Sequence, residues 1–371
     1  DLNTFPYEGF EYFNWSKRSQ ISGLPVVQLS SHEGEVLIDL FDIDGKLHQY
    51  RVSLNSDQIK SLKNEFLSVV EPSDDTISSA CGTFEPIHKI TKRHLTNSAI
   101  VIPSVNLLPI PSAIVIGSHC NQSSLSLIQS SDLSGALSFA QNTVSRARPN
   151  TFIGIGNPHI KPISDQTVTA KFIRDPFATR GLQIKPVEFP RLPEATDEIN
   201  ELRGQFEKSQ VFLEEQASLM KALQAASKMS MEKDGVALVL ATHGLIPNAE
   251  RGLFLPRLLS VENNKTVLIS NSDIEAVYLP NSVIFLSACD TASGLTETPD
   301  LFFTGFVESF ANSGSDLIMA SLWPVHSMTS KKVTTSFFEA WKTKSIMDSI
   351  GAASKSVEKQ KRFLPFVFIL P

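Results

Sequence analysis

The stretch VALVLATHG, residues 236–244, and its counterpart VIFLSACDT, residues 283–291, decide how this chain is read. Each begins as an unbroken run of Val, Leu, Ile, Ala or Phe and ends in polar residues. Runs of that length suit strands buried on both faces, as in a parallel sheet with helices above and below. In open sheets of this kind, ligands and chemistry collect just beyond the carboxyl ends of the strands. The first run therefore delivers His243, and the second Cys289, to one edge of one sheet, with enough chain between them for a crossover connection.

A thiol and an imidazole at one sheet edge are what a cysteine nucleophile and its general base require. A lone Cys flanked by apolar residues is ordinarily a small core residue. Cys289, however, stands where the chain turns out through Asp290, Thr291 and Ser293-Gly294. Gly244 permits a close backbone approach, and its N–H together with that of Cys289 would form an oxyanion hole. Each such donor is commonly worth ~3 kcal/mol. Asp290 is ambiguous: its charge opposes thiolate formation if it faces the sulfur, and otherwise it faces away or contributes to a substrate pocket. The residues thus point to a cysteine peptidase.

Competing constellations fail. Position 295 is Leu, not the Arg that a phosphatase loop would need six residues after its Cys. Gly154-Ile-Gly156-Asn-Pro158 is half a dinucleotide loop, undone by Pro158 and a missing third Gly. No HExxH occurs, and the eight His residues show no metal-ligand spacing, so neither metal nor organic cofactor is expected. His119 and Cys120 are adjacent, and on a strand they would face opposite ways.

Composition sets the outer bounds. With 371 residues, 42% of them hydrophobic, the chain can bury a large core. Its net charge of −6 and its lack of a dense Lys/Arg block do not suggest nucleic-acid binding. No run approaches the roughly 18 apolar residues of a membrane span. Three cysteines without CxxC spacing argue against a disulfide framework and fit a reducing, cytoplasmic setting. The chain opens on Asp1, as a fragment or processed chain would.

Three segments are expected. Residues 1–32 form an N-terminal arm or the end of an upstream domain, 33–150 a first lobe, and 151–371 a catalytic lobe. In the first lobe, residues 35–45 and 47–52 form a hairpin about Asp44-Gly45. A helix follows over 57–69 with Ser56 as its cap, then an irregular stretch over 70–98. Strands are expected at 98–102 and 112–117, and a helix near 124–142. In the second lobe, strands at 151–158, 211–213, 236–240, 283–286, 316–324 and 365–370 alternate with helices at 193–208, 215–230, 302–312, 329–342 and 345–359. That alternation implies a parallel sheet covered on both faces.

The motifs Ala241-Thr-His-Gly244, Leu286-Ser-Ala-Cys-Asp-Thr291 and Ala320-Ser-Leu-Trp-Pro-Val325, in this order and spacing, resemble the CHAT family of caspase-like peptidases, relatives of caspases, separases and gingipains. Weaker matches are Gly156-Asn-Pro158, the acidic helix after Leu192-Pro193, and the terminal Pro365-Phe366-Val367. The likeness is firm over roughly 150–371 and fainter back to about residue 33. It implies a caspase-like α/β sandwich preceded by a degenerate, pseudo-caspase lobe. It further implies a His243–Cys289 dyad, Gly244 and Cys289 as oxyanion donors, and Asp290, Ser321, Leu322 and Trp323 at the substrate strand and pocket. The implied substrate is a specific protein, and the implied regulator an upstream helical-repeat region or partner protein, in a setting such as bacterial defence or signalling. His326 departs from an acidic residue common after Trp-Pro-Val. The alternatives are a catalytically inactive scaffold of the same fold and a redox-sensing Cys module.

Overall fold

The computed structural model describes residues 24–44, 46–68, 72–107, 110–120, 125–130, 136, 139, 148–160, 189–232, 235–245, 257–288, 305–322, 325–358 and 366–370. Its strands are β1 (Val26–His32), β2 (Glu35–Phe41), β3 (Leu47–Ser53), β4 (Ser98–Ile102), β5 (Ser126–Ser130), β6 (Thr151–Gly156) and β7 (Lys208–Leu213), then β8 (Val236–Ala241), β9 (Gly244–Leu245), β10 (Arg257–Glu262), β11 (Lys265–Ile269), β12 (Ser282–Leu286), β13 (Leu317–Ser321) and β14 (Phe366–Leu370). Its α-helices are α1 (Ser56–Ser68), α2 (Asp74–Thr83), α3 (Glu85–Thr91), α4 (Ser112–Val115) and α5 (Pro193–Arg203), then α6 (Leu219–Ser230), α7 (Asn271–Glu275), α8 (Phe306–Asn312), α9 (Ser327–Ala340) and α10 (Ile346–Glu358).

Eleven strands join in one sheet of order β3-β2-β1-β4-β5-β14-β13-β12-β8-β6-β7, while β11, β10 and β9 form a small second sheet. From β7 to β13 every pairing is parallel. Strand β14 then runs antiparallel to β13 and parallel to β5, joining the two halves of the sheet. β4 pairs parallel with both β5 and β1, and the meander β1-β2-β3 is antiparallel.

The central strands are buried throughout their length because both faces are covered: all six residues of β8, and all five of β12 and of β13, are buried. One face packs Phe152, Phe285 and Phe368 against Ile199 of α5, Phe337 and Phe338 of α9, and Ile350 of α10. The other sets Leu238, Ile284 and Ile318 against Leu223 of α6, Ile274 of α7 and Phe310 of α8. A third core, with Ile38, Phe84 and Ile114, lies beside the first four strands.

Helix α5 sits unusually close to β6. A Cβ on Gly156 would come within 2.9 Å of the Ala195 carbonyl oxygen, and one on Gly154 within 2.7 Å of the Ile199 side chain. Glycine at these two positions is what lets the helix settle onto the strand. Asn157, at φ 48°, turns the chain out of β6. Its side chain then accepts from the Leu192 N–H at 2.7 Å and donates to Thr196 at 3.1 Å, pinning the first turn of α5.

Several local expectations are corrected. Asn55, not Ser56, caps α1: its side chain accepts from the N–H groups of Asp57 and Gln58. The stretch read as irregular holds α2 and α3. Ser73 caps α2, with Asp74 and Asp75 in its first turn, and Pro86 opens α3. Residues 112–115, apolar enough to read as a strand, coil into α4 behind Pro111 and bury Ile114 and Val115. There tertiary packing overrides β propensity. Residues 126–130 form β5 rather than part of a helix; residues 136 and 139 are helical, and the rest of 131–142 lies outside the described residues. The helix from Pro193 ends at Arg203, before β7. Residues 26–32, placed in an arm, form β1 in the sheet; residues 1–23 lie outside the described residues. The β10–β11 hairpin was not anticipated.

The cysteine expectation is also overturned. Cys81 of α2 and Cys120, just after α4, form a disulfide across a Cα separation of 5.6 Å. The inference from unpaired thiols to a reducing compartment falls with it. Among the described residues, no helix is long and apolar enough to cross a membrane.

Candidate active site

Strands β8 and β12 are neighbours in parallel register, with Leu240 opposite Leu286. Both strands thus end at the same sheet edge; His243 follows Leu240 by three residues in sequence, and Cys289 follows Leu286 by three. Cys289, Asp290 and Trp323 lie outside the described residues; His243, Gly244, Ser321 and Leu322 lie within them.

His243 occupies the link between β8 and β9. Its Nε2 lies 2.8 Å from the carbonyl oxygen of Pro190, and the ring tilts against Phe189 at a centroid distance of 5.4 Å. A carbonyl only accepts, so Nε2 carries the proton and, in the neutral ring, the Nδ1 lone pair stays open. Burial draws the imidazole below its ordinary pKa, and the Pro190 bond opposes that only in part. The ring is therefore neutral at pH 7, the form a general base needs.

The backbone around His243 is anchored from β10. The Leu259 N–H donates to the His243 carbonyl at 3.0 Å, and the Thr242 hydroxyl to the Leu259 carbonyl at 2.7 Å. In this antiparallel register Gly244 stands opposite Leu258. It falls at a position where the pair exchanges no ladder bonds, so its N–H points away from β10. That leaves the Gly244 amide available to a ligand oxygen.

The two residues ahead of Cys289 are held from opposite sides. The Ser287 hydroxyl donates to Glu198 Oε2 at 3.0 Å and meets the Ser330 hydroxyl in a short hydrogen bond. The Ala288 carbonyl accepts from the Ser321 hydroxyl at 2.7 Å. The Ser321 hydroxyl is thereby engaged inside the protein. Ser321 is fully buried, and it pairs with Phe366 of β14. Leu322 is partly buried against two of the core clusters.

A small, partly open pocket lies below His243, bounded by Leu192, Glu198, Thr242, Ser287, Ala288 and Phe366 among others. Glu198 is only 1% exposed, and burial pushes its carboxyl up to about 7. Sequence reasoning passed over it because a Glu on an acidic helix reads as solvated. The signal was there: Glu198 shares the helical face of Ala195, Ile199 and Leu202, all buried. Pro190, held beside His243, left no comparable trace. His326, the departure noted after Trp-Pro-Val, caps α9 by accepting from the Met328 N–H. Among the described residues no group of His, Cys, Asp and Glu is arranged to hold a metal.

A mostly parallel sheet between helical layers, with this His at a strand's carboxyl end, has the architecture of the caspase-like cysteine peptidases. The CHAT domain matches residues 83–365, and the chain belongs to that family. Among solved structures it is similar to the Saccharomyces cerevisiae separase–securin complex, with a TM-score of 0.56 and 10% identity over 96% of this chain. A second structure of that complex gives 0.52 and 9%, again over 96% of this chain. In both, the match spans 31% of the other chain, so this chain covers about a third of that length. The complex of Porphyromonas gingivalis RgpB pro- and mature domains gives a TM-score of 0.46 and 12% identity, covering 85% of this chain and 74% of that one. At such identities the likeness is one of fold. No curated protein matches the chain in sequence.

Proposed function

We propose that this chain is a cysteine endopeptidase acting on a protein substrate through Cys289 and His243. The observation that carries the reading is the pose of His243. One ring nitrogen is tied to Pro190, and the other has no hydrogen-bond partner among the described residues, at the end of the strand paired with the one that leads to Cys289.

In the reaction, His243 Nδ1 takes the Cys289 proton and the thiolate attacks the scissile carbonyl carbon. The developing oxyanion is received by the N–H groups of Gly244 and Cys289. The tetrahedral species collapses to a thioester as imidazolium returns its proton to the leaving amine. Water, deprotonated by the same imidazole, then hydrolyses the thioester and restores the thiol. Asp290, Leu322 and Trp323, which follow β12 and β13 in sequence, are assigned to the substrate groove. A regulatory region or partner protein is part of the proposal; the separase in the similar structure is in complex with securin.

The test is proteome-wide cleavage profiling of the chain, and of its full-length parent with any partner, beside Cys289→Ala and His243→Ala. Cleavages present in wild type and absent from both variants support the peptidase. Identical profiles in all three point instead to an inactive scaffold.

A further inference from the structure

Glu198 is an anomaly of the interior. Its Oε2 accepts the Ser287 hydroxyl, while the nearby Thr334 hydroxyl is given to the Ser330 carbonyl at 2.9 Å. Among the described residues its Oε1 is buried without a hydrogen-bond partner, and it belongs to a carboxyl that lines the pocket together with His243 and Ala288. An orphaned buried oxygen is costly and calls for an explanation. Packing supplies none, because Ala195, Ile199 and Leu202 on the same face are apolar and an aliphatic side chain would suit the site. What an aliphatic residue could not do is hold Ser287.

Ser287 and Ala288 are the last two residues before Cys289. Glu198 takes hold of the side chain of the first, and Ser321 of the carbonyl of the second. Helix α5 can reach that far inward because Gly154 and Gly156 let it sit against β6. We infer that Glu198 is a positioning residue: by accepting the Ser287 hydroxyl it fixes, jointly with the Ser321–Ala288 bond, the backbone from which the Cys289 thiol is presented to His243.

The inference rests on the peptidase reading above. The ionisable groups around Glu198 are Lys331 of α9, ion-paired with Glu201 at 3.2 Å, Glu201 of α5, and His243 across the pocket. A hydroxyl donates to a carboxylate or to the carbonyl oxygen of a neutral carboxyl. Positioning through Ser287 therefore survives titration of Glu198, and the pH profile of the thiol is left to Cys289 and His243.

The experiment is the rate of Cys289 alkylation by iodoacetamide across about pH 5 to 9, read by mass spectrometry, since the thiolate is the reacting form. Wild type is compared with Glu198→Ala, Glu198→Gln and Ser287→Ala. With a displacement of ~1 Å able to cost up to about a hundredfold, Glu198→Ala is expected to slow alkylation by about tenfold near neutral pH, the loss narrowing toward about pH 9 where the thiol ionises without the imidazole. On a substrate found by profiling, kcat falls in proportion while KM stays within about twofold. Glu198→Gln, whose amide oxygen still accepts from Ser287, restores the rate to within about threefold with an unchanged profile. Should Glu198→Ala not fold, Ser287→Ala breaks the same bond from its other end and is expected to show the same loss.

A folded Glu198→Ala or Ser287→Ala that alkylates at the wild-type rate overturns the inference. So does a Glu198→Gln as impaired as Glu198→Ala, since charge rather than placement would then be at issue. If even the wild type cleaves nothing, the peptidase reading fails. The alkylation comparison still decides whether Glu198 places the thiol.

Discussion

The Pro190 carbonyl oxygen and His243 Nε2, 53 residues apart in sequence, stand 2.8 Å from one another. The contact fixes both the direction of the imidazole and which of its nitrogens can act as a base. It also leaves the ring buried enough to resist protonation. The acid limb of kcat/KM on a profiled substrate is therefore expected below the ordinary imidazole value of about 6.5. A limb at or above that value in the pH–rate profile would contradict the burial argument.

Stability follows the same sign. The folded state holds His243 neutral, so the unfolded chain binds more protons as pH falls. This contribution is complete above about pH 6.5 and is lost as pH drops toward the lowered folded value. Urea midpoints of wild type and His243→Asn should converge with acidification over that window.

Glu198 titrates in the opposite sense. Its carboxyl, raised to about 7, is held protonated by the fold where the unfolded chain has already ionised. The cost is absent below about pH 4, grows as pH rises, and is complete above about 7. Glu198→Gln should therefore gain stability over wild type at alkaline pH, by at most about 3–4 kcal/mol, and little at about pH 4. Urea titrations at the two extremes measure the difference.

Phe189 presses on the other side of the His243 ring. Phe189→Ala should lower kcat by about tenfold through a loosened imidazole, with KM nearly unchanged. Steady-state kinetics on a profiled substrate would show the split.

Ser321→Ala removes the donor to a buried carbonyl, that of Ala288. A loss of about 1–3 kcal/mol is expected, read as a shift in the urea midpoint. Ser321→Thr, which keeps a hydroxyl, separates the lost bond from the lost packing.

The Cys81–Cys120 bridge spans 39 positions, so chain entropy alone ascribes to it about 4 kcal/mol. Cys81→Ser with Cys120→Ser should melt at lower temperature than wild type, and reductant should produce the same shift in wild type. Thiol counting in denaturant gives one reactive Cys without reductant and three with it.

The central half of the sheet was legible because its strands are unbroken apolar runs. Runs such as Val236–Leu240 and Val283–Leu286 are explained by burial on both faces. The same rule misled at Ser112–Val115, where a short apolar run behind Pro111 folds into a helical turn whose core contacts decide its shape. At Asp74–Thr91 the cap Ser73 and the early acids were readable signals, masked by polar, weakly periodic helices. The His243 neighbourhood followed from strand register. Its supports did not, since Pro190 acts through a carbonyl that every residue has, and Glu198 through a burial that only the packed α5 imposes. The disulfide is not legible because three cysteines without CxxC spacing show no pairing, although Cys81 and Cys120 pair and leave Cys289 over.

Strand β14 bears on how the molecule is synthesised. It lies between β5 and β13, yet Phe366–Leu370 follows both in the chain by long intervals. As the polypeptide leaves the ribosome, two half-sheets must therefore wait with bare inner edges, each a template for another chain. They can be stitched only when these five residues arrive. Nascent copies emerging side by side on one message are thus most vulnerable to pairing with each other in the interval before that last seam closes.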